Sequence, residues 1–215
     1  MRNWFYDFSK WTLWIFFRFG HGLEVHGLQH VPKRGGFVLA SNHVSYLDPP
    51  VVGVACPRRV AFMARTTLFA HPFLGAFLRG IHAIPLRRGE ADHGAVSEAI
   101  ARLRRGLGVA IFPEGTRQLS GRLGSAKRGV GLLAATAQVP IVPALVTGTF
   151  EALPPEAKRL HRAKIRVAFG PPIPYTTASV SSTGDHQQLA DAVTQAWQRL
   201  DDERELTLRD CVKLR

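Results

Sequence analysis

Residues 37–50 read FVLASNHVSYLDPP, an apolar segment followed by a polar loop and the start of a helix. The first five residues, Phe37 to Ser41, predict a strand. Asp48 followed by two prolines predicts a first helical turn, because Asp accepts from free backbone N–H groups and Pro needs no donor there. A strand, a loop that carries His43 and a helix therefore follow one another directly.

The same alternation continues along the chain. Further strands are predicted at 22–27, 59–64, 81–86, 109–112, 141–145 and 164–169, and helices at about 66–78, 92–105, 127–138 and 185–205. Residues 171–184, rich in Pro, Ser and Thr, predict a loop. This order predicts a single α/β domain, residues 21–215, with a mostly parallel, helix-flanked sheet whose functional sites gather at strand ends.

Residues 1–20 are predicted to form an amphipathic helix that precedes this domain. Its aromatic face consists of Trp4, Phe8, Trp11 and Ile15, which recur at helical spacing. Asp7 and Lys10 fall toward another face. Because Trp rings prefer the headgroup boundary of a bilayer, the helix is predicted to lie in the membrane interface. The alternative is a helix that packs its aromatic face on the domain core.

The placement of the chain relative to the membrane follows from the same segment. Trp11 to Phe17 is too short for a secretory signal and is followed by Arg18 instead of a cleavage site. Charged residues interrupt residues 4–19, which argues against a spanning helix. We therefore predict a peripheral or monotopic protein on the cytoplasmic face of the cell membrane.

The charge balance indicates an anionic partner. The chain has 28 Lys and Arg against 16 Asp and Glu, a formal net charge of +12. Nucleic acid, an anionic membrane surface and phosphorylated small molecules would all fit this charge. A nucleic-acid-binding module is disfavoured, because no known binding motif is present and the aromatic residues concentrate at the N-terminus. Cys56 and Cys211 lack the spacing of a disulfide framework or a zinc site, so no metal is predicted.

His43 and Asp48 stand five residues apart in the loop that follows the strand. A turn there would fold the carboxylate back onto the imidazole. A carboxylate that accepts from one ring nitrogen fixes the tautomer and leaves the other nitrogen free to take a proton. The alternative is that Asp48 caps the helix and His43 has no role.

A second polar loop, FPEGTR at residues 112–117, also ends a predicted strand. It offers backbone N–H groups, a hydroxyl and a forked guanidinium, all of which bind phosphate well. The alternative is a strand terminator with an arginine that faces solvent.

Together these segments resemble the 1-acylglycerol-3-phosphate acyltransferases, also called lysophosphatidic acid acyltransferases. NHVSYLD at 42–48 matches the first family block, NHxxxxD, and FPEGTR matches the third letter for letter. GIHAIPLRR at 80–88 resembles the second block and VPIVP at 139–143 the fourth. The resemblance covers roughly residues 20–150. It departs from the family pattern at Arg87, where many members have an acid before the arginine that aligns with Arg88.

The resemblance implies a fold like that of glycerol-3-phosphate acyltransferase. It also implies acyl transfer as the function. His43 would act as general base and Asp48 would orient it. An acyl chain would pass from acyl-CoA or acyl-acyl carrier protein to the sn-2 hydroxyl of 1-acylglycerol 3-phosphate, giving phosphatidic acid without any cofactor. The predicted acceptor site consists of Arg88, Arg117 and Lys127, which would hold the phosphate, and of Glu114, Gly115 and Thr116, which would shape the loop.

Other functions stay open from the sequence. The acceptor would differ if the enzyme acylates glycerol 3-phosphate, another lysophospholipid or the lyso form of an amino-acid-containing lipid such as ornithine lipid. A thioesterase would result if His43 activates water instead of a lipid hydroxyl.

Overall fold

The computed structural model describes residues 4–87, 92–157, 159–175 and 183–213. Seven strands lie in one sheet: β1 (Glu24–His26), β2 (Phe37–Ser41), β3 (Val60–Arg65), β4 (Ile84–Leu86), β5 (Gly108–Ile111), β6 (Ile141–Thr147) and β7 (Arg166–Phe169). Their spatial order is β1-β7-β6-β2-β5-β3-β4. Among these described strands, β6 and β7 pair antiparallel and the other neighbours pair parallel. The predicted single α/β domain with a mostly parallel sheet is confirmed.

Helices connect the strands. They are α1 (Trp4–Ile15), α2 (Asp48–Ala55), α3 (Thr66–Phe69), α4 (Pro72–Gly80), α5 (His93–Arg104), α6 (Gly129–Ala137), α7 (Thr149–Ala152) and α8 (Thr183–Lys213). A π-helical turn at Phe16–Gly20 continues α1, and a 3₁₀ turn lies at Leu28–His30.

The central strand β2 explains why helices cover both faces of the sheet. All five of its residues are buried, and successive side chains of a strand point to opposite faces. Phe37 belongs to the core cluster that includes residues of α2, whereas Val38 belongs to the cluster with residues of α5, α6 and α8. Trp197 of α8 is fully buried, and its indole Nε1 donates to the carbonyl of Ala40 at 3.1 Å. The long last helix is thereby fixed one residue from the end of β2.

Most predicted boundaries shift by one to three residues, and three segments depart further from the prediction. The single helix predicted at 66–78 is wrong: α3 ends at Phe69 and α4 begins at Pro72, because proline has no N–H to continue a helix. The last helix extends past the predicted end at residue 205 to Lys213. In the predicted loop at 171–184, Ile173 forms a bridge with Ile141 and the helix already begins at Thr183. Residues 176–182 of that loop lie outside the described residues.

Helix α1 docks on the domain through polar groups. The buried Tyr6 hydroxyl donates to the carbonyl of Val60 at 3.4 Å and accepts from its N–H at 3.2 Å. Asp7 pairs with Arg59, and Lys10 Nζ donates to the carbonyl of Cys56. Burial lowers the pKa of Lys10. Asp7 and Lys10, which the sequence pattern set apart from the aromatic face, therefore contribute to this docking together with Tyr6.

The aromatic face of α1 points away from the domain. Trp4 is 75% exposed, Trp11 60% and Phe8 57%, whereas Ile15 is half-buried. Phe19, in the π-helical turn, is 74% exposed. The alternative in which the aromatic face packs on the core is therefore wrong for Trp4, Phe8 and Trp11. In the described part of the chain, no helix combines the length and hydropathy needed to cross a bilayer.

Candidate active site

The two polar loops meet at the carboxyl edge of the sheet. Because β2 and β5 are parallel neighbours with Ala40 opposite Ile111, the residues that follow them emerge side by side. Asn42 fixes the start of the first loop. Its side-chain amide donates to the carbonyl of Val146 at 3.0 Å and accepts from the Val146 N–H at 2.7 Å, so it pairs with β6 as a strand residue would.

The imidazole of His43 contacts the carboxylate of Asp48. His43 Nδ1 lies 2.8 Å from Asp48 Oδ2, which also accepts from the N–H groups of Val44 and Ser45 at 2.7 Å each. This acceptor keeps the imidazole proton on Nδ1. The carboxylate makes no hydrogen bond to the N–H groups of α2, although the helix begins there with two prolines as predicted. The structure thus favours the paired arrangement over the helix-cap alternative.

The second ring nitrogen of His43 remains available. The side chain is 18% exposed while that of Asp48 is 0% exposed. The ring of Phe112 packs against the imidazole at 4.4 Å between centroids. Within the described residues, nothing forms a hydrogen bond with His43 Nε2. A neutral imidazole held in this tautomer can accept a proton at Nε2.

Glu114 lies beneath the first loop, with 2% exposure. Its Oε2 accepts from the backbone N–H of His43 at 3.2 Å, and its Oε1 accepts from the N–H of Gly124 at 3.1 Å. Burial raises its pKa to about 7, against the opposing effect of these hydrogen bonds. The carboxylate therefore links the loop of residues 112–117 to the backbone at His43 and at Gly124.

Gly115 allows the second loop to turn tightly. Its N–H donates to the carbonyl of Phe112 at 3.0 Å, and its φ of +77° is one that residues with a Cβ rarely adopt. A Cβ at this position would lie 3.2 Å from Lys127 Nζ. Lys127 is exposed, and its N–H donates to the carbonyl of Pro113 at 2.9 Å. The structure thus brings Lys127 against the loop of residues 112–117, as the predicted acceptor site requires.

Thr116 and Arg117 lie on the outer side of this loop. Thr116 is exposed, and its hydroxyl donates to the carbonyl of Arg117 at 3.3 Å. The guanidinium of Arg117 lies over the ring of Tyr46, with Cζ 3.5 Å from the ring centroid. Arg117 is therefore held by an aromatic face instead of facing solvent alone.

Arg88 lies outside the described residues, so its predicted contact with the acceptor stays a prediction. The strand before it, β4, ends at Leu86, and Arg65 at the end of β3 is opposite Leu86 in the register. Arg65 and Arg87 are both exposed. Positive charge therefore extends along the carboxyl edge beyond the two polar loops.

Three residues at this edge of the sheet, Asn42, Tyr46 and Arg65, were not predicted as site residues. Asn42 was visible as a polar residue directly after a buried strand, and Arg65 as a cation at the end of the next strand. Tyr46 lay between two candidate residues in the first loop. No local signal distinguished its ring from an ordinary exposed tyrosine, because its partner, Arg117, is 71 positions further along the chain.

The fold and the paired loops define an acyltransferase. The sequence model of the Acyltransferase family matches residues 22–147, more than half of the chain, so the chain belongs to this family. It is 31% identical over 170 residues to the 1-acyl-sn-glycerol-3-phosphate acyltransferase of Bacillus subtilis (strain 168), covering 78% of this chain and 82% of the relative. It is 32% identical over 165 residues to the human 1-acyl-sn-glycerol-3-phosphate acyltransferase alpha, covering 75% of this chain and 58% of the relative.

A solved structure has the same fold. The crystal structure of the 1-acyl-sn-glycerophosphate acyltransferase of Thermotoga maritima superposes with a TM-score of 0.73 at 25% sequence identity. The match covers 92% of this chain and 78% of that one. The similarity thus extends beyond the segment that the family model matches.

Proposed function

We propose that this protein transfers a fatty acyl chain from a thioester donor to the sn-2 hydroxyl of lysophosphatidic acid, giving phosphatidic acid and a free thiol. The observation that carries the proposal is the His43–Asp48 pair beside a loop that presents Arg117 and Lys127. The names of the relatives support the same acceptor.

His43 serves as the general base. Its Nε2 takes the proton from the acceptor hydroxyl as the oxygen attacks the thioester carbonyl carbon. The tetrahedral intermediate then expels the sulfur, and the imidazolium returns the proton to the leaving thiolate. Asp48 is the positioning residue: its carboxylate holds the tautomer and stabilises the imidazolium. A base in this role typically accelerates a reaction by about 10²- to 10⁴-fold.

Arg117, Lys127 and Arg88 bind the acceptor phosphate. A guanidinium can fork two oxygens of a phosphate, and an ammonium adds a compact charge. Gly115 and Thr116 shape the loop that holds these cations. Glu114 contributes through the backbone of His43, because its carboxylate is buried and both of its oxygens accept backbone N–H groups. Reaction then depends on the distance between the bound phosphate and the base.

The donor is acyl-CoA or acyl-acyl carrier protein, and no further cofactor enters the reaction. The formal net charge of +12 suits either donor, since coenzyme A carries phosphates and carrier proteins are acidic.

The enzyme works at the cytoplasmic face of the cell membrane as a peripheral or monotopic protein. Trp4, Phe8 and Trp11 present exposed rings suited to the headgroup region, and Ile15 adds apolar surface at the end of α1. Each Lys or Arg near an anionic bilayer contributes about 1 kcal/mol to adhesion. The acceptor and the product would then stay in the same leaflet.

The test follows thiol release from oleoyl-CoA by the purified protein, with and without lysophosphatidic acid. We expect release that depends on the acceptor and disappears in His43→Ala but not in His161→Ala, a matched change at an exposed histidine. Release without acceptor would instead identify a thioesterase. Transfer to glycerol 3-phosphate or a different lysolipid, in preference to lysophosphatidic acid, would correct the acceptor.

A further inference from the structure

Tyr46 lies in the first polar loop, three residues after His43, and the residue is 64% exposed. Exposed aromatic rings are common and most need no explanation. This ring, however, is covered on one face by the guanidinium of Arg117, with Cζ 3.5 Å from the centroid. A cation this close to a ring face is attracted by the negative potential of the ring.

The backbone around Tyr46 is held firmly. The N–H of Ser45 donates to Asp48 Oδ2 at 2.7 Å, and the Ser45 hydroxyl donates to the carbonyl of Leu153 at 3.1 Å. The N–H of Leu47 donates in turn to the Ser45 hydroxyl at 3.3 Å. Both neighbours of Tyr46 are therefore tied to the fold, so the ring projects from a restrained backbone.

Arg117 is held differently. In the residues that the structure describes, its guanidinium donates no hydrogen bond to a protein acceptor. The ring of Tyr46 occupies one face of the guanidinium plane, whereas the N–H groups that bind oxygen lie at its edges. The contact therefore restrains Arg117 without using the donors that a phosphate would need.

We propose that Tyr46 is a positioning residue that sets the location of Arg117 and, through it, the binding of the acceptor phosphate. The inference rests on the proposed function, in which Arg117 binds that phosphate. Tyr46 belongs to the loop of the base, so its ring links the base to the phosphate site directly. The acceptor affinity depends on this ring, and the donor affinity does not.

The variants Tyr46→Leu and Tyr46→Phe separate the ring from its hydroxyl. In steady-state assays we expect Tyr46→Leu to raise the KM for lysophosphatidic acid about two- to fivefold, the range of an exposed cation–π contact. The KM for oleoyl-CoA stays unchanged. Tyr46→Phe keeps the ring and restores the acceptor KM. Equal effects on the two substrates, or equal effects of the two variants, would overturn the inference.

A double-mutant cycle asks whether Tyr46 acts through Arg117. In an Arg117→Ala background, we expect Tyr46→Leu to cause no further rise in the acceptor KM. An additional rise as large as in the wild-type background would show that Tyr46 acts by itself and would refute the positioning role.

A spectroscopic readout keeps the inference separate from the reaction. The Nε–Hε resonance of Arg117, assigned by its loss in Arg117→Lys, carries a ring-current shift if it lies over Tyr46. We expect the shift to vanish in Tyr46→Leu and to persist in Tyr46→Phe. An unshifted resonance in the wild type would refute the inference. If the wild type acylates no acceptor, the proposed function fails, while this measurement still decides the contact.

Discussion

Among the contacts between the loop of residues 42–48 and the loop of residues 112–117, two differ in almost every physical respect. The inner contact, from Glu114 to the backbone of His43, is buried and uses a main-chain donor. The outer contact, between Tyr46 and Arg117, is exposed and uses two side chains. A main-chain donor is present whatever the residue, whereas a side-chain contact changes with either partner. Substitution at either residue can therefore alter the outer contact, whereas the inner contact depends on the side chain of Glu114 alone.

The largest effect is expected for Asp48→Ala, a change at a buried residue of the loop that the inner contact holds. Removing the carboxylate leaves the N–H groups of Val44 and Ser45 without their acceptor and frees the imidazole. We expect kcat to fall about 10²- to 10⁴-fold. The free energy of unfolding should fall by about 1–3 kcal/mol for the buried donors left unpaired. Thiol release and urea unfolding measure the two, with the exposed Asp202→Ala as control. Retained activity would contradict the role of the pair.

The next effect is expected in Glu114→Ala, which removes the acceptor for the N–H groups of His43 and Gly124. We expect a loss of about 1–3 kcal/mol in the free energy of unfolding and a fall in kcat, with little change in the acceptor KM. Glu151→Ala, at an exposed glutamate, is the control. A rise in the acceptor KM alone, with kcat unchanged, would instead place Glu114 in contact with the substrate.

The same carboxyl makes stability depend on pH. Burial raises its pKa from the ordinary 4.5 to about 7 in the folded protein, so the folded state binds the proton more tightly than the unfolded state. Its stabilising contribution is fully present below pH 4.5 and is lost as the pH rises toward about 7. Unfolding at a series of pH values should show this fall in wild type, and Glu114→Gln should remove it. An identical slope in the variant would assign the titration to another group.

At the outer contact and beside it, Arg117→Ala and Lys127→Ala should each weaken binding of the acceptor and leave binding of the donor unchanged. Losing one charge-assisted hydrogen bond to phosphate raises the acceptor KM by roughly tenfold or more, while stability changes little because Lys127 is exposed and Arg117 contacts an exposed ring. Kinetics with varied lysophosphatidic acid measure this, with the exposed Arg105→Ala as control. If these variants lower the free energy of unfolding and leave the acceptor KM unchanged, the contrast between the two contacts is wrong.

The smallest effect on stability is expected at α1. This helix also has an inner side, docked on the domain, and an outer side of exposed aromatic rings. Trp11→Ala removes an exposed ring, so the midpoint of thermal unfolding should be nearly unchanged. Binding to anionic vesicles should weaken by about tenfold, because the variant loses the free energy of burying an aromatic side chain in the bilayer. Leu160→Ala, an exposed apolar residue outside α1, should not affect vesicle binding. Equal vesicle binding by the Trp11 variant would refute the membrane role of this face.

The sequence predicted most strands and both polar loops, because each depends on local patterns. Phe37 to Ser41 is apolar and bounded by a polar loop, and Gly115 is one of few residue types that permit the turn at its position. The break at Pro72 was also a local signal, and the single predicted helix overlooked it.

Other features depend on partners that are distant in the chain. The sequence pattern separated Asp7 and Lys10 from the aromatic face of α1, but it did not encode their contacts with Arg59 and the carbonyl of Cys56. The burial of Glu114 requires Gly124 and the first loop to close over it, which no local pattern encodes. The sequence therefore predicted that Glu114 shapes the loop, but not that its carboxylate accepts the backbone N–H groups of His43 and Gly124.

The hydrogen bonds of Asn42 have a consequence for the synthesis of the protein. Asn42 is made 104 residues before its partner Val146, and Ala40 is made 157 residues before Trp197. On the ribosome, the loop of residues 42–48 is therefore synthesised long before Val146, the hydrogen-bond partner of Asn42, is present. Activity should appear only after β6 and α8 have emerged, so a growing chain that already carries both polar loops is still inactive.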